Sequence, residues 1–129
     1  MHADGRTGSL LPGIELMPRR EPDDVDGAPD YLIYAGDHLV GRIYRHVSRS
    51  DFENWFWGLQ GVFTSMEIGR LHGGAESFDQ AKERLRAAFD LWLAWALAAP
   101  PSHLSYARIR QDLQDVGAED IVPPLRAQP

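Results

Sequence analysis

The stretch GGAESFDQAKERLRAAFDLWLAWALAA, residues 73–99, decides the fold of this chain. Its apolar residues recur every three or four positions, which is the spacing of one buried helix face. They are Phe78, Ala81, Leu85, Ala88, Phe89, Trp92, Trp95, Ala96 and Ala99. Ser77 is a typical helix N-cap, and Gln80 three residues later completes a capping box. Pro100 and Pro101 then end the helix, so the sequence predicts one long helix from Ser77 to Ala99.

The segments before this helix have the composition of β-strands. Residues 31–34 are β-branched and aromatic, and residues 39–47 follow after a glycine-containing turn, so the two predict a hairpin. A third strand is predicted over residues 54–63, where Trp55 and Trp57 share one face. Residues 69–72 add a short extended piece before the helix.

A second helix is predicted over residues 104–116, where Ile109, Leu113 and Val116 share a face. The fold class is therefore α+β: a three- to four-stranded antiparallel sheet packed by one long helix, plus a short C-terminal helix. Residues 31–117 form the single domain. Residues 1–30 are expected to be an acidic tail rich in Pro and Gly, and residues 118–129 a flexible tail.

The composition narrows the classes of function. The chain has 129 residues, a net charge of −6 and no cysteine, so it has no disulfide framework, Cys-ligated zinc or thiol nucleophile. Residues 1–30 hold seven acidic residues against three arginines. Nucleic-acid binding normally needs a basic stripe, so this balance argues against it. No signal peptide or membrane span is apparent, and we expect a cytoplasmic bacterial protein. Met17 offers a second start, which leaves open whether residues 1–16 belong to the native chain.

Three short segments carry a resemblance to known proteins. VGRIYR (residues 40–45), WFW (55–57) and GGAESFDQAK (73–82) follow one another in an order that resembles a family of small uncharacterised proteins from rhizobia and related alphaproteobacteria. The order of strands and helix is also similar to HicB-type antitoxin domains and to the AP2-like arm-binding domain of phage integrases. This second resemblance is one of topology, and it implies a nucleic-acid-associated regulator.

The residue types that usually carry catalysis or metal binding show no informative spacing. A zinc set can be assembled from His46 and His72 with Asp51 or Glu53, but surface histidines are the favoured interpretation. Ser77 is explained by its role as a helix cap, and the G-x-S-x-G motif of serine hydrolases does not occur. We therefore expect no catalytic residue, no metal, no cofactor and no enzymatic activity.

An anion site before the long helix is a further alternative. Arg70 and the pair Gly73 and Gly74 lie next to a helix N-terminus, where free N–H groups favour negative charge. Glu76 and Asp79 already occupy that end of the helix. The sequence therefore favours a turn and a cap over a bound anion.

Two surfaces are candidates for binding a partner. Alternation along the strands places Val40, Arg42, Tyr44 and His46 on the sheet face that also carries Phe56, which suits contact with another protein. The second half of the long helix is apolar nearly all round, so Leu93 and Leu97 need cover from the second helix or from a homodimer partner. We expect a non-enzymatic binding or adaptor domain that acts by contact with a protein, with a nucleic-acid-associated regulator as the alternative.

Overall fold

The computed structural model describes residues 13–20, 30–45 and 55–118 of the chain. Five strands precede two helices in this part of the chain. They are β1 (Leu16–Arg20), β2 (Asp30–Ala35), β3 (His38–Arg45), β4 (Trp55–Leu59), β5 (His72–Ala75), α1 (Phe78–Ala98) and α2 (Tyr106–Asp115), with a short 3-10 helix at Met66–Ile68 between β4 and β5. The predicted α+β class with one long helix and one shorter helix is confirmed.

The strands form one antiparallel sheet in the order β1-β2-β3-β4-β5, so every strand pairs with its neighbours in the sequence. The prediction of three to four strands is wrong, because the sheet has five. The additional strand is β1, which lies within the residues assigned to the acidic tail. Pro18 and two arginines give β1 a composition that does not predict a strand. Proline and charged residues are nevertheless typical of a strand at the edge of a sheet.

A β-bulge in β3 corrects the predicted alternation of that strand. Ile33 pairs with Gly41 and Tyr34 pairs with Leu39, so Val40 is an extra residue without a partner on β2. An extra residue changes which face the neighbouring side chains occupy. Val40 was predicted to share the exposed face with Arg42, and this is wrong, since Val40 is fully buried.

Local capping and a close approach to the sheet position α1. Ser77 Oγ accepts a hydrogen bond of 3.0 Å from the Gln80 N–H, as the capping box predicts. Gln80 in turn accepts from the backbone N–H of Glu76 at 2.8 Å. In the middle of the helix, Leu85 lies so close to β3 that a Cβ on Gly41 would approach its Cδ2 to 2.8 Å. Only a glycine lets the helix lie this near the strand.

The connection after β4 is held by both helices at Phe63. Its N–H donates to Asp112 Oδ2 of α2 at 2.7 Å, and its carbonyl accepts from Trp92 Nε1 of α1 at 2.8 Å. Ile109 and Leu113 of α2 complete the core. Asp112 is buried, and its second oxygen accepts from Arg108. These bonds compensate the cost of burying the carboxylate and tie α2 to the rest of the domain.

None of the helices in the described part of the chain is both long enough and apolar enough to cross a membrane.

Gly61 provides a test of the connection that leads to Phe63. It has a φ of 82°, and a Cβ there would lie 2.0 Å from the Leu39 carbonyl oxygen. Gly36 is the matched control, because its φ is 61° but a Cβ there meets nothing within 4 Å. We expect Gly36→Ala to cost about 1–2 kcal/mol of unfolding free energy, from the left-handed backbone alone. Gly61→Ala should cost at least about 2 kcal/mol more, because a backbone clash adds to the same strain.

The measurement is urea unfolding followed by tryptophan fluorescence. Equal losses of unfolding free energy in the two variants would contradict the close approach of Gly61 to Leu39.

Candidate functional site

The sheet face away from α1 has no buried side chain among the residues that the structure describes. We call this surface the open face. It comprises Met17, Arg19, Asp30, Leu32, Tyr34, Arg42, Tyr44, Phe56, Gly58, His72 and Gly74, whose strand register places them on one side. Each is exposed or half-buried. The opposite face carries the core residues Ile33, Ile43 and Trp57 and is covered by α1. Among the described residues, the sheet is therefore covered on the α1 side only.

A row of three predicted partner-binding residues crosses the middle of the open face. The Arg42 guanidinium lies 4.3 Å from the centre of the Tyr44 ring, and the Tyr44 ring stacks on Phe56 with centroids 5.6 Å apart. Asp30 accepts two hydrogen bonds from Arg42, at 3.0 and 2.7 Å. Such cation–π, stacking and two-pronged contacts hold long side chains in one arrangement. These contacts within the chain favour one arrangement of the row.

A shallow depression of about 390 Å³ lies beside this row. Gly58 and Gly74 form part of its floor, and His72 lines it with Arg42, Tyr44 and Phe56. Because the glycines have no side chains, the backbone of β4 and β5 is accessible from this side. The depression therefore offers apolar rings, a guanidinium and exposed backbone within one surface.

At the β1 end of the open face, an arginine again lies over a tyrosine ring. The Arg19 guanidinium of β1 lies 4.3 Å from the centre of the Tyr34 ring on β2. Met17, which neighbours Arg19 on the same strand, has 47% of its surface exposed. Arginine and aromatic side chains thus recur from β1 to β4, a composition typical of the centres of protein–protein interfaces.

The six predicted partner-binding residues differ in location and in burial. It brings Arg42, Tyr44 and Phe56 together, whereas His46 lies outside the described residues. Leu93 is fully buried, so its prediction as a surface residue is wrong. It belongs to the apolar core that α2 completes, which is the local cover that the sequence left open against a dimer. Leu97 is half-buried on α1, away from the open face.

Sequence reasoning missed the contributions of β1 and β5 to the open face. Arg19 lies in a segment predicted to be a tail, and His72 was interpreted as a surface histidine or a member of the zinc set, not as part of this face. Neither residue carries a local signal, because both join the face through strand pairing. The other members of the zinc set, His46, Asp51 and Glu53, lie outside the described residues.

A different cluster of ligand-type residues joins α2 to the β2–β3 turn. His38, Asp112 and Asp115 bring one ligand atom each to within 4.8 Å of one another. Both Asp112 oxygens already accept hydrogen bonds, from Phe63 N–H and from Arg108. His38 Nε2 lies 2.7 Å from the Gly61 carbonyl oxygen, and since a carbonyl oxygen only accepts, this nitrogen is the donor. The Arg108 guanidinium opposes a cation here, and the cluster is explained by its structural bonds.

Comparisons with protein-family models, with curated proteins and with solved structures give no match to this chain.

Leu93 and Leu91 provide a matched test of the corrected assignment. Leu93→Ala removes a fully buried side chain, whereas Leu91→Ala trims one that is 49% exposed on the same helix. We expect Leu93→Ala to lower the unfolding free energy by about 2–5 kcal/mol, the usual cost of a cavity in a core. Leu91→Ala should cost less than about 1 kcal/mol.

Urea unfolding at two protein concentrations gives both values. The loss in Leu93→Ala should not depend on concentration, because the cover is within one chain. A concentration-dependent loss would instead place Leu93 at a dimer seam.

Proposed function

We propose that the chain is a non-enzymatic binding module whose open face contacts another protein. The observation that carries this proposal is the ordered row of Arg42, Tyr44 and Phe56 on a sheet face that nothing in the described chain covers. Side chains that are already ordered lose little freedom when a partner docks. Tyrosine and arginine are also the residue types that contribute most to binding energy at protein interfaces.

The charge of the face supports a protein partner over a nucleic acid. Arg42 is paired with Asp30 through two hydrogen bonds, so part of the positive charge of the face is neutralised within the chain. Binding to a phosphate backbone depends on several uncompensated cations. The stacked rings of Tyr44 and Phe56 are the feature that favours the alternative, since aromatic rings on a sheet also stack on unpaired bases.

A second copy of the chain is one partner that this face can take. The predicted dimer seam through Leu93 and Leu97 lacks Leu93, which is inside the core. The open face, with its row of Arg42, Tyr44 and Phe56, is the surface that we propose for such a dimer. Light scattering at several concentrations distinguishes the cases, because self-association raises the mass with concentration and a Tyr44→Ala variant would abolish the rise.

Tyr44 is the position that tests the proposal best. Tyr44→Ala removes the ring that lies between Arg42 and Phe56, and we expect partner binding to weaken by about tenfold or more. Leu104→Ala is the control, because Leu104 is fully exposed outside the open face. The measurement is quantitative mass spectrometry of proteins captured by each tagged variant from its native cells. Equal capture of the same proteins by Tyr44→Ala and by Leu104→Ala would contradict the proposal.

A photo-crosslinking residue separates the two classes of partner. It is placed at position 56 in one variant and at position 104 in the control. We expect a crosslinked product at position 56 that protease digests and nuclease leaves unchanged. A product that nuclease removes would overturn the protein proposal in favour of a nucleic acid, and equal products at both positions would overturn the role of the open face.

A further inference from the structure

A pocket with no role in the proposed function lies between the edge strand β5 and α1, on the side of the sheet opposite the open face. We call it the β5 pocket; its volume is about 480 Å³. Arg70 and Arg84 line it together with Trp57, and Ala87 and Leu91 form part of its apolar wall. Two cations thus lie in one pocket, and none of the described residues that line it is acidic.

Trp57 brings a buried donor to this pocket. Only 5% of its surface is exposed, and within the described residues its indole N–H has no hydrogen-bond acceptor. A buried donor without an acceptor costs free energy, and such groups are rare in proteins. The two tryptophans of α1 differ from Trp57, because Trp92 donates to the Phe63 carbonyl and Trp95 donates to Glu67.

Arg70 lies near this donor, on the side of β5 where Gly73 has no side chain. From the position that a Cβ on Gly73 would occupy, Trp57 Nε1 is 3.4 Å away and Arg70 Nη1 is 3.6 Å away. The indole N–H and the guanidinium therefore lie near the same side of Gly73, where one ligand anion could contact both. Arg70 has no ion pair among the described residues, so its charge has no acidic partner within the described chain.

The open edge of β5 adds further polar groups. Leu59 N–H donates to the Leu71 carbonyl, and the alternation of an antiparallel pair then directs the polar groups of Gly74 away from β4. Arg84 confirms this direction, because its Nη1 donates to the Gly74 carbonyl oxygen. The Gly74 N–H faces the same edge and is a third kind of donor for a ligand oxygen.

We propose that the β5 pocket binds an oxyanion, with Arg70, Arg84 and the Trp57 indole N–H as its donors. Carboxylate and phosphate share the required chemistry, since both present acceptor oxygens to guanidinium groups. The apolar wall formed by Ala87 and Leu91 suits an organic acid or phosphate ester, whose carbon part would lie there. An anion near Arg70 and Gly73 at the helix N-terminus was the alternative that the sequence did not favour; the β5 pocket lies instead at the sheet edge.

The Trp57 indole N–H is a direct reporter of such binding. The chain has four tryptophans, and the loss of one indole resonance in Trp57→Phe assigns the signal in a proton–nitrogen NMR spectrum. Titrations use sodium acetate and sodium methyl phosphate at constant ionic strength. We expect a saturable downfield shift of the Trp57 signal with one or both anions, because a hydrogen bond forms. Tighter binding of acetate assigns the site to carboxylates, and tighter binding of methyl phosphate assigns it to phosphates.

Matched variants separate the pocket from a general effect of charge. Arg70→Gln should raise the dissociation constant of the anion by about tenfold, in line with the loss of a charge-assisted hydrogen bond. Lys82→Gln, which removes an exposed cation from the same helix as Arg84, should leave the constant unchanged. Gly73→Ala should place a methyl group against Trp57 Nε1 and Arg70 Nη1 and thereby abolish the shift. Gly58→Ala is its control, because a Cβ there meets only the His72 Cβ, at 3.5 Å.

Circular dichroism and the remaining indole signals show whether each variant is folded. If Gly73→Ala does not fold, Arg70→Gln gives the decisive comparison, since Arg70 is exposed and makes no described ion pair. The proposal is overturned if neither anion moves the Trp57 signal, if all four indole signals move in parallel, or if Lys82→Gln weakens binding as much as Arg70→Gln.

Discussion

A five-stranded sheet has two faces, and in the described chain α1 covers only one of them. The cover is closed at Phe63, where both backbone polar groups bond to side chains of the two helices. These two hydrogen bonds hold α1, α2 and the chain after β4 together around one apolar core. Both helices are therefore on the same side of the sheet. Nothing in the described chain then remains to cover the opposite face. Within the described residues, the open face thus follows from the use of both helices on one side of the sheet.

An uncovered sheet face normally exposes apolar side chains, and here arginines moderate that exposure. Arg42 lies over Tyr44 and is held by Asp30, while Arg19 lies over Tyr34. These pairings keep flat aromatic surfaces accessible beside charged groups, which suits a surface that is solvated alone and is covered on binding. The β5 pocket differs in character, since cations and a buried N–H dominate it. The two features adjoin the same edge strand and are separable by mutation.

The parts of the fold that depend on local signals could be predicted from the sequence, and the parts that depend on pairing could not. The capped helix beginning at Phe78 was predicted, because the cap and the apolar period lie within one segment. β1 was missed, since its Pro18 and arginines resemble a tail until they pair with β2. The exposed row of Arg42, Tyr44 and Phe56 follows from simple alternation, whereas the burial of Val40 follows from a bulge. The grouping of Trp57, Arg70 and Arg84 depends on the register of β4 with β5 and on the seat of α1, so no spacing in the sequence reveals it.

The most direct test of the central claim is hydroxyl-radical footprinting of the protein in its native cells and after purification. Mass spectrometry measures the labelling of Tyr44 and Phe56 relative to Met66, which is 99% exposed outside the open face. If the open face is a binding surface, labelling of Tyr44 and Phe56 falls in the cell while that of Met66 does not. Equal labelling ratios in the cell and in the purified protein would contradict the claim.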